Sequence, residues 1–226
     1  MSHSAILFLM VVAPALAMVL ALLGLETLEK NILGWLGLAI GVGYPSGAFI
    51  HFWIRKKPFW QHEEGGHEIV EERGDKSFWL ILPGLLSTFF IPPLEYLYLP
   101  AYLPRTGWMQ WIGLSFLILG VACHLWVRAT IRGGYSAHLN VTVGQRLIQN
   151  GPYRYTRHPG YTGYFLMALG FCLGYSSAIG LAAIPILMLP GFAYRINLEE
   201  RLLAASFGNE YHAYARKTKR ILPGIW

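Results

Sequence analysis

Charged residues are scarce in this sequence. Asp, Glu, Lys and Arg make up 13% of its 226 residues, about half the share of a typical soluble domain. This shortage argues against an ordinary soluble protein and indicates an apolar surrounding. Cysteine is scarce as well, because Cys123 and Cys172 are the only two and both fall inside uncharged runs. They form no CxxC pair, so we expect neither a disulfide framework nor a zinc site.

Long uncharged runs predict membrane-spanning helices. A bilayer core about 30 Å thick needs roughly 20 apolar residues per helix. Such runs occupy residues 5–25, 32–54, 78–94, 107–127 and 158–194. The last run is too long for one straight helix, and Gly174 to Ser177 can supply a turn. We predict an all-α polytopic membrane bundle. It has four spans in an N-terminal region, 1–127, and a transmembrane or re-entrant helical hairpin in a C-terminal region, 128–226.

The basic residues between these runs predict the topology. Only Lys30 and Arg105 lie in the loops of one side, whereas the loop 55–77, the loop 128–157 and the tail from Arg195 carry the other sixteen. Cytoplasmic loops carry an excess of Lys and Arg. We therefore expect both termini in the cytoplasm. The basic residues follow the membrane topology, so the net charge of +6 does not indicate a nucleic-acid partner.

Two segments outside the hairpin carry further expectations. Pro92 and Pro93 predict that the third span ends early, which would leave Glu95 at the membrane interface. Residues 68–73 could form a short surface helix. The spacing of His62 and His67 is wrong for a metalloprotease helix, so no metal site is expected there.

Opposite charges stand at the two ends of the predicted hairpin. Arg157 and His158 precede Pro159, which favours the first turn of a helix and leaves unpaired N–H groups beside a basic pair. At the far end, Arg195 and Glu199 are four residues apart and share a helix face. A basic, proline-capped helix and an exposed ion pair would explain each feature separately. Because a hairpin returns both ends to one surface, together they also suit a zwitterionic ligand.

The C-terminal part resembles the isoprenylcysteine carboxyl methyltransferase family and the related phospholipid methyltransferases. The resemblance covers residues 136–226 and depends on the order and spacing of a few elements. These are Gly151, Tyr153, Arg157, His158, Pro159, Tyr161 and Gly163, then Arg195, Glu199 and Glu200, then Phe207, Gly208, Tyr211 and Tyr214.

The resemblance implies S-adenosylmethionine as the methyl donor, a helical membrane fold and a lipid-facing substrate tunnel. It also implies a cofactor pocket at the cytoplasmic face. By position, the cofactor-binding residues would be Gln145, Arg146, Leu147, Ile148, Tyr153, Arg157, His158, Pro159, Tyr161, Glu199 and Glu200. Gln145 departs from the family, which usually has a histidine there, although glutamine still donates and accepts hydrogen bonds.

The implied catalytic residues are Arg195, Glu199 and His158. A sulfonium already carries an activated methyl group, so the protein chiefly positions the reactants and excludes water. We expect Arg195 to bind an acceptor carboxylate and Glu199 to bind the ammonium of the cofactor. His158 would hydrogen-bond the cofactor or act as a base for an amine acceptor. The basic tail after Tyr211 would bind anionic lipid headgroups or close the pocket.

Other functions stay open from the sequence. The acceptor could be a prenylcysteine carboxylate, a phospholipid amine, an isoprenoid or an apolar thiol. The partners expected are membrane lipids and a lipophilic or prenylated substrate. A membrane reductase of the sterol-reductase type, using NADPH, has a similar C-terminal architecture. A non-catalytic membrane scaffold or transporter is the third alternative.

Overall fold

A computed structural model describes residues 12–39, 69–71, 77–131, 140–142 and 146–221. Its α-helices are α1 (Ala13–Thr27), α2 (Ser77–Tyr98), α3 (Gly107–Ile131), α4 (Pro159–Gly174), α5 (Ala178–Ala183), α6 (Leu189–Phe207) and α7 (Asn209–Lys217). Residues 34–39 are also helical. A 3₁₀ helix covers Gly151–Arg154, and a π-helical turn, Ile184–Met188, joins α5 to α6. The two strands are β1 (Ile69–Glu71) and β2 (Asn140–Thr142).

Three helical stretches are long and apolar enough to cross a membrane, by length and composition. They are Trp79–Tyr98, Gly107–Ile131 and Ala178–Phe207. Two further apolar helices among the described residues are shorter: α1, and α4 with 16 residues. The predicted helical bundle is confirmed in this coarser sense.

The predicted C-terminal hairpin is present, with α4 as one arm and the continuous stretch α5–α6 as the other. Residues 175–177 connect the arms, and Ser176 takes a positive φ of 52°. We call this the turn end of the bundle and the opposite end, where α4 begins and α6 ends, the site end. Apolar side chains fill the space between the arms: Ala168, Cys172, Ile184, Met188 and Phe192.

Helices α3 and α4 pack through glycine. A Cβ atom on Gly113 would lie 2.4 Å from the Cα of Gly174, and one on Gly170 would lie 2.6 Å from the carbonyl oxygen of Gly113. Nearer the site end, Gly120 meets the backbone of Gly163 in the same way. Small residues allow such close backbone approach, which supplies much of the packing energy between membrane helices. This packing holds α4, and therefore the start of the site, firmly against α3.

Gly113→Ala should destabilise the protein. The added methyl group would meet backbone atoms that cannot rotate away, which typically costs about 1–3 kcal/mol. We expect Tm in detergent to fall by roughly 4–8 °C, the shift for a loss of about 2 kcal/mol in a chain of this size. The matched control is Gly107→Ala in the same helix, where a Cβ atom meets nothing within 4 Å. Equal Tm values for the two variants would contradict this account of the α3–α4 contact.

Helix α2 corrects one expectation. It continues through Pro92 and Pro93 to Tyr98, and both prolines are buried. Proline interrupts the backbone hydrogen bonds of a helix, but packing by neighbouring helices allows it in membrane bundles. Here α2 packs closely against the α5–α6 arm of the hairpin: a Cβ atom on Gly84 would lie 2.6 Å from the Cα of Met188.

Glu95 is buried, which corrects its predicted place at the interface. Its side chain is 3% exposed and caps the start of α5. The carboxylate accepts hydrogen bonds from the backbone N–H groups of Ala178 and Ile179, both at 3.0 Å, and from the hydroxyl of Ser177. A carboxylate at a helix N-terminus is favoured by the unpaired N–H groups and by the helix dipole. Glu95 therefore fixes the hairpin at its turn end.

Helix α1 docks on the same turn through buried polar groups. Thr27 and Tyr175 form a hydroxyl–hydroxyl hydrogen bond of 3.1 Å, and the side-chain amide of Asn31 donates to the carbonyl of Gly174 at 2.9 Å. The N-terminal region is thus attached to the hairpin at the turn end.

The described chain is not wholly helical. β1 pairs antiparallel with β2, with Val70 opposite Val141. The expected surface helix at residues 68–73 is therefore wrong: Ile69 and Val70 are β-branched and fit an extended backbone. This small sheet joins the predicted loop 55–77 to the loop 128–157. Residues 62–67 lie outside the described residues.

Candidate functional site

His158 lies at the junction that the proline predicts. Its backbone is not helical, with φ −127° and ψ 58°, and Pro159 begins α4 directly after it. The His158 carbonyl accepts the first backbone hydrogen bond of the helix, from the N–H of Tyr161 at 3.1 Å. The side chain is 4% exposed and faces the last turns of α6. Proline at the first helical position therefore sets where the imidazole stands.

Glu199 is the centre of a cluster formed by both hairpin arms. Its carboxylate accepts hydrogen bonds from the Tyr161 hydroxyl at 2.7 Å and from Arg195 Nε at 3.0 Å. His158 Nδ1 lies 3.2 Å from the other oxygen. We call these four residues, His158, Tyr161, Arg195 and Glu199, the polar cluster. Its geometry brings together the charges that the sequence places about 40 residues apart.

Glu200 is the centre of a second network beside the first. Its carboxylate accepts from Arg157 Nε at 2.8 Å and from Arg220 Nη2 at 2.8 Å. Nε2 of His158 lies 3.5 Å from the same carboxylate. We call Arg157, Glu200 and Arg220 the anchor network. His158 therefore stands between two carboxylates, one in each group.

The chain after α7 runs back along the start of α4. The N–H groups of Arg157 and His158 donate to the carbonyls of Lys219 and Arg220 at 2.8 and 2.9 Å. Arg157 Nη1 also donates to the carbonyls of Ala215 and Thr218. The C-terminal segment thus forms one wall of the site and holds the backbone of His158 in place.

The two carboxylates raise the pKa of His158. Burial lowers the pKa of its imidazole, but the negative charges of Glu199 and Glu200 beside it outweigh burial and raise that pKa above 6.5. Nε2 lies 3.5 Å from Glu200 and has no hydrogen-bond partner among the described residues. The charged imidazolium is favoured by opposite charges within hydrogen-bond reach. Both ring nitrogens then point at carboxylates, an arrangement that orients Glu199 and does not leave a free base.

Aromatic rings line the cluster on its apolar side. The Tyr161 ring lies 5.0 Å from that of Phe192 and 5.9 Å from that of His158. Tyr164 continues the row, 6.3 Å from Phe192. These rings separate the charged groups from the apolar interior of the hairpin. Ordered rings of this kind exclude water and strengthen electrostatic contacts beside them.

The structure brings together some predicted cofactor residues and not others. His158, Tyr161 and Glu199 are in contact, and Pro159 is buried beside them. The carbonyl of Tyr153 accepts from the Tyr214 hydroxyl at 2.7 Å, which ties the 3₁₀ helix to α7. Gln145 lies outside the described residues. Within the described part of the chain, no hydrogen bond or ion pair joins the cluster to three predicted residues: Arg146, Leu147 and Ile148.

The C-terminal segment contributes a residue that the sequence analysis missed. Arg220 was expected among basic residues that bind lipid headgroups, yet it pairs with Glu200. Thr218, also unpredicted, accepts from Arg157 through its carbonyl. The sequence gives one signal for such a partner. Glu199 and Glu200 are adjacent acids, but one basic residue, Arg195, precedes them at helical spacing, so one of the two acids needs a partner from elsewhere in the chain.

One protein-family model matches this region. It describes the isoprenylcysteine carboxyl methyltransferase family and matches residues 111–205. This range contains α4, the turn, α5 and the polar cluster, and it ends before α7.

Curated relatives carry related names. The Schizosaccharomyces pombe "Protein-S-isoprenylcysteine O-methyltransferase" is 29% identical over 163 residues, which are 66% of this chain and 68% of that protein. The Arabidopsis thaliana "Protein-S-isoprenylcysteine O-methyltransferase A" is 31% identical over 54% of this chain and 64% of that one. The Saccharomyces cerevisiae relative is 28% identical over 64% and 60%. The chain thus spans about two thirds of the length of these relatives.

A solved structure has a similar fold. It is the eukaryotic intramembrane Ras methyltransferase, isoprenylcysteine carboxyl methyltransferase. The TM-score is 0.58 at 21% sequence identity, and the similarity covers 92% of this chain and 73% of that one. The share of this chain that the fold similarity covers is larger than the range of the family model, residues 111–205.

Proposed function

We propose that the chain, which is similar to the isoprenylcysteine carboxyl methyltransferase family over residues 111–205 and has helices apolar and long enough to cross a membrane, is a methyltransferase of the membrane. It transfers a methyl group from S-adenosylmethionine to a prenylated or otherwise lipidic acceptor. The observation that carries the proposal is the polar cluster, in which Glu199, His158 and Arg195 meet at the site end of an apolar bundle. The catalytic region is residues 128–226, following a four-span region at 1–127, with both termini in the cytoplasm.

The residues at the cluster fit the methyl donor. Three charged side chains around His158 can be compared: those of Arg157, Glu199 and Glu200. The side chain of Glu199 is the most accessible of them, with 24% exposed. A carboxylate of this kind suits the ammonium group of the donor. His158, Pro159, Tyr161 and Tyr153 would surround the rest, together with Gln145 and residues 146–148. When bound, S-adenosylmethionine supplies a methyl group already activated for displacement.

Arg195 is the residue proposed to bind the acceptor. Its side chain is 10% exposed and donates to Glu199 through Nε. Arginine presents several N–H donors in a fixed plane, so a second carboxylate can bind beside the first. The guanidinium would hold an acceptor carboxylate next to the donor site. Positioning of this kind accounts for a large part of the rate enhancement when no proton has to be removed.

The surroundings of His158 favour a carboxylate acceptor over an amine. A base for an amine must be neutral and face the acceptor. Both nitrogens of His158 face carboxylates of this chain, and those carboxylates raise its pKa, which favours the protonated form. It then acts by orienting Glu199. In the same proposal, Arg157 and Glu200 hold the C-terminal segment, residues 218–221, against the site.

Cofactor titration tests the proposed function. We expect the purified protein to bind S-adenosylhomocysteine, as measured by calorimetry, and not NADPH. Glu199→Gln should weaken that affinity about 10- to 30-fold, because it removes one charge-assisted hydrogen bond worth about 2 kcal/mol. Glu210→Gln is the matched control, since Glu210 is exposed on α7 and contacts Gln149.

Two results would separate the alternatives. Binding of NADPH in place of S-adenosylhomocysteine would support the reductase, and binding of neither would support a non-catalytic protein. Incubation with methyl-labelled cofactor then compares an N-acetylated prenylcysteine with phosphatidylethanolamine. Label on the prenylcysteine carboxylate is expected; label on the phospholipid amine alone would contradict the assignment of Arg195.

A further inference from the structure

The second arm of the hairpin contains one irregular turn. Residues 178–207 are helical throughout, but Ile184–Met188 forms a π-helical turn between α5 and α6. There the N–H of Leu189 donates to the carbonyl of Ile184, five residues earlier. Such a turn is equivalent to one additional residue inserted into an α-helix, and it often occurs near functional sites.

Two prolines explain why the irregularity lies here. Pro185 is inside the π turn, and Pro190 is in the first turn of α6. Proline has no N–H to donate, and its ring clashes with the carbonyl four residues earlier in a regular helix. For Pro190 that carbonyl belongs to Ile186. A widened turn moves this carbonyl away from the ring, so the helix continues without a sharp break.

The turn end fixes the rotation of the helix before the π turn. Glu95 accepts from the N–H groups of Ala178 and Ile179, and Ser177 caps Gly180. Helix α5 has no space to rotate about its axis at Gly180, because a Cβ atom there would lie 3.0 Å from Cys172 and from Pro92. The first turns of this arm therefore have one permitted orientation.

The site end fixes the rotation after the π turn independently. Gly191 faces α2, where a Cβ atom would lie 2.6 Å from the carbonyl of Leu80. One and two turns further on, Arg195 and Glu199 must face His158 and Tyr161. Between these two fixed ends Pro185, Ile186 and Leu187 are exposed, with Ile186 67% exposed, whereas the first and last residues of the π turn are buried.

We propose that the π turn sets the rotational phase of α6, so that one helix is clamped by Glu95 at the turn end and still presents Arg195 and Glu199 to His158. An α-helix rotates by about 100° per residue. The π turn takes up one residue without this rotation. If the same residues formed a regular α-helix, the face after Met188 would be turned by about that angle, and Arg195 and Glu199 would point away from α4. The π turn is thus a positioning element for the polar cluster. Its effect on catalysis depends on the proposed function, whereas its effect on geometry does not.

Deletion of Ile186 tests the phase directly. Ile186 is 67% exposed, and its removal converts the π turn into a regular α-helical turn with both flanks in their present phase. Deletion of Ile186 and Leu187 together removes one residue more than the π turn takes up and rotates α6 by about 100°. The geometry is measured by cross-linking the pair Tyr164→Cys and Phe192→Cys with a short bifunctional thiol reagent. Their rings are 6.3 Å apart, and Phe192 follows the π turn while Tyr164 lies on α4. Cys123 and Cys172 are replaced by alanine in this background.

The single deletion should keep the cross-link, because a regular α-helical turn replaces the π turn. The double deletion should abolish the cross-link. In the native-cysteine background the double deletion should also lower methyl transfer at least about 100-fold, since a displacement of about 1 Å already costs that much. The single deletion and Ile186→Ala, which keeps the length, should react like the parent.

Each outcome decides the proposal. Loss of the cross-link in the single deletion, or an efficient cross-link and full activity in the double deletion, would overturn it. Should the double deletion fail to fold, the single deletion decides, because its cross-link persists only if the π turn takes up one residue without rotating α6. If the cross-links follow the expected pattern but the parent transfers no methyl group, the phase role stands and the proposed function fails.

Discussion

Arg195→Ala is expected to lower methyl transfer by at least about 100-fold while cofactor affinity changes by about threefold or less. Removing one preorganised donor at a reacting centre typically costs that much in rate. Glu199 would lose its 3.0 Å contact with Arg195 but keep the Tyr161 hydroxyl and the imidazole of His158. The carboxylate therefore stays oriented for the ammonium of the donor. Turnover of an N-acetylated prenylcysteine and calorimetric titration with S-adenosylhomocysteine measure the two quantities separately.

Two further variants control this prediction. Arg195→Lys keeps the charge but loses the planar array of donors, so it should recover only part of the activity. Arg201→Ala removes an exposed arginine from the same helix and should leave both quantities unchanged. Equal losses of turnover and cofactor affinity in Arg195→Ala would mean that Arg195 serves the donor site, and the assignment to the acceptor would be wrong.

Glu200→Gln is expected to cause the largest loss of stability. It leaves the guanidinium groups of Arg157 and Arg220 without their shared carboxylate, and the side chain of Arg157 is only 11% exposed. Breaking a buried ion pair by removing one partner costs about 3–5 kcal/mol. We allow for partial exposure and expect about 3 kcal/mol, or a fall in Tm of roughly 6–12 °C. Limited proteolysis should then cut the C-terminal segment, because Arg220 no longer holds it.

Glu210→Gln is the control for this second prediction, since it removes an exposed carboxylate from α7. Its Tm should stay within about 1 °C of the parent, as expected for exposed pairs. A Tm for Glu200→Gln as high as that of the control would show that the anchor network contributes no stability.

Because the pKa of His158 is raised, the Tm of the parent and of Glu200→Gln should depend on pH. A group whose folded pKa lies above its ordinary value of 6.5 contributes its stability fully below 6.5, and that contribution is lost as the pH rises through the folded pKa. Tm of the parent should therefore fall as the pH is raised above 6.5. Glu200→Gln removes one of the two carboxylates that raise this pKa, so the fall should be smaller and should end at a lower pH. Coincident profiles would contradict the pairing of His158 with Glu200.

The residues at the centre of the proposed site could be predicted from the sequence because their signals are local. Pro159 fixes where α4 begins, and the spacing of Arg195 and Glu199 places them on one helix face. The uncharged run between them requires a hairpin of membrane length. These constraints together imply that the two ends meet, and the 3.2 Å contact of His158 with Glu199 agrees with them. The roles of these residues stay predictions.

Long-range partners could not be predicted in the same way. Arg220 and Glu200 are 20 residues apart, and nothing local distinguishes Arg220 from the other basic residues near it. Glu95 is a stronger example, because its partners lie more than 80 residues away at the start of α5. Pro92 and Pro93 suggested a helix end there, but packing against the hairpin outweighs the local preference.

By itself the sequence determined the apolar helices, the place where the hairpin turns and the identity of the charged residues at its two ends. These follow from hydrophobicity, proline and short spacings, which act within a few residues. Tertiary structure alone decided how α5–α6 is rotated, which carboxylate each arginine contacts, and that the C-terminal segment closes against His158. Rotation and partner choice depend on contacts between distant parts of the chain, where a single additional residue in a helix turns every later side chain by about 100°.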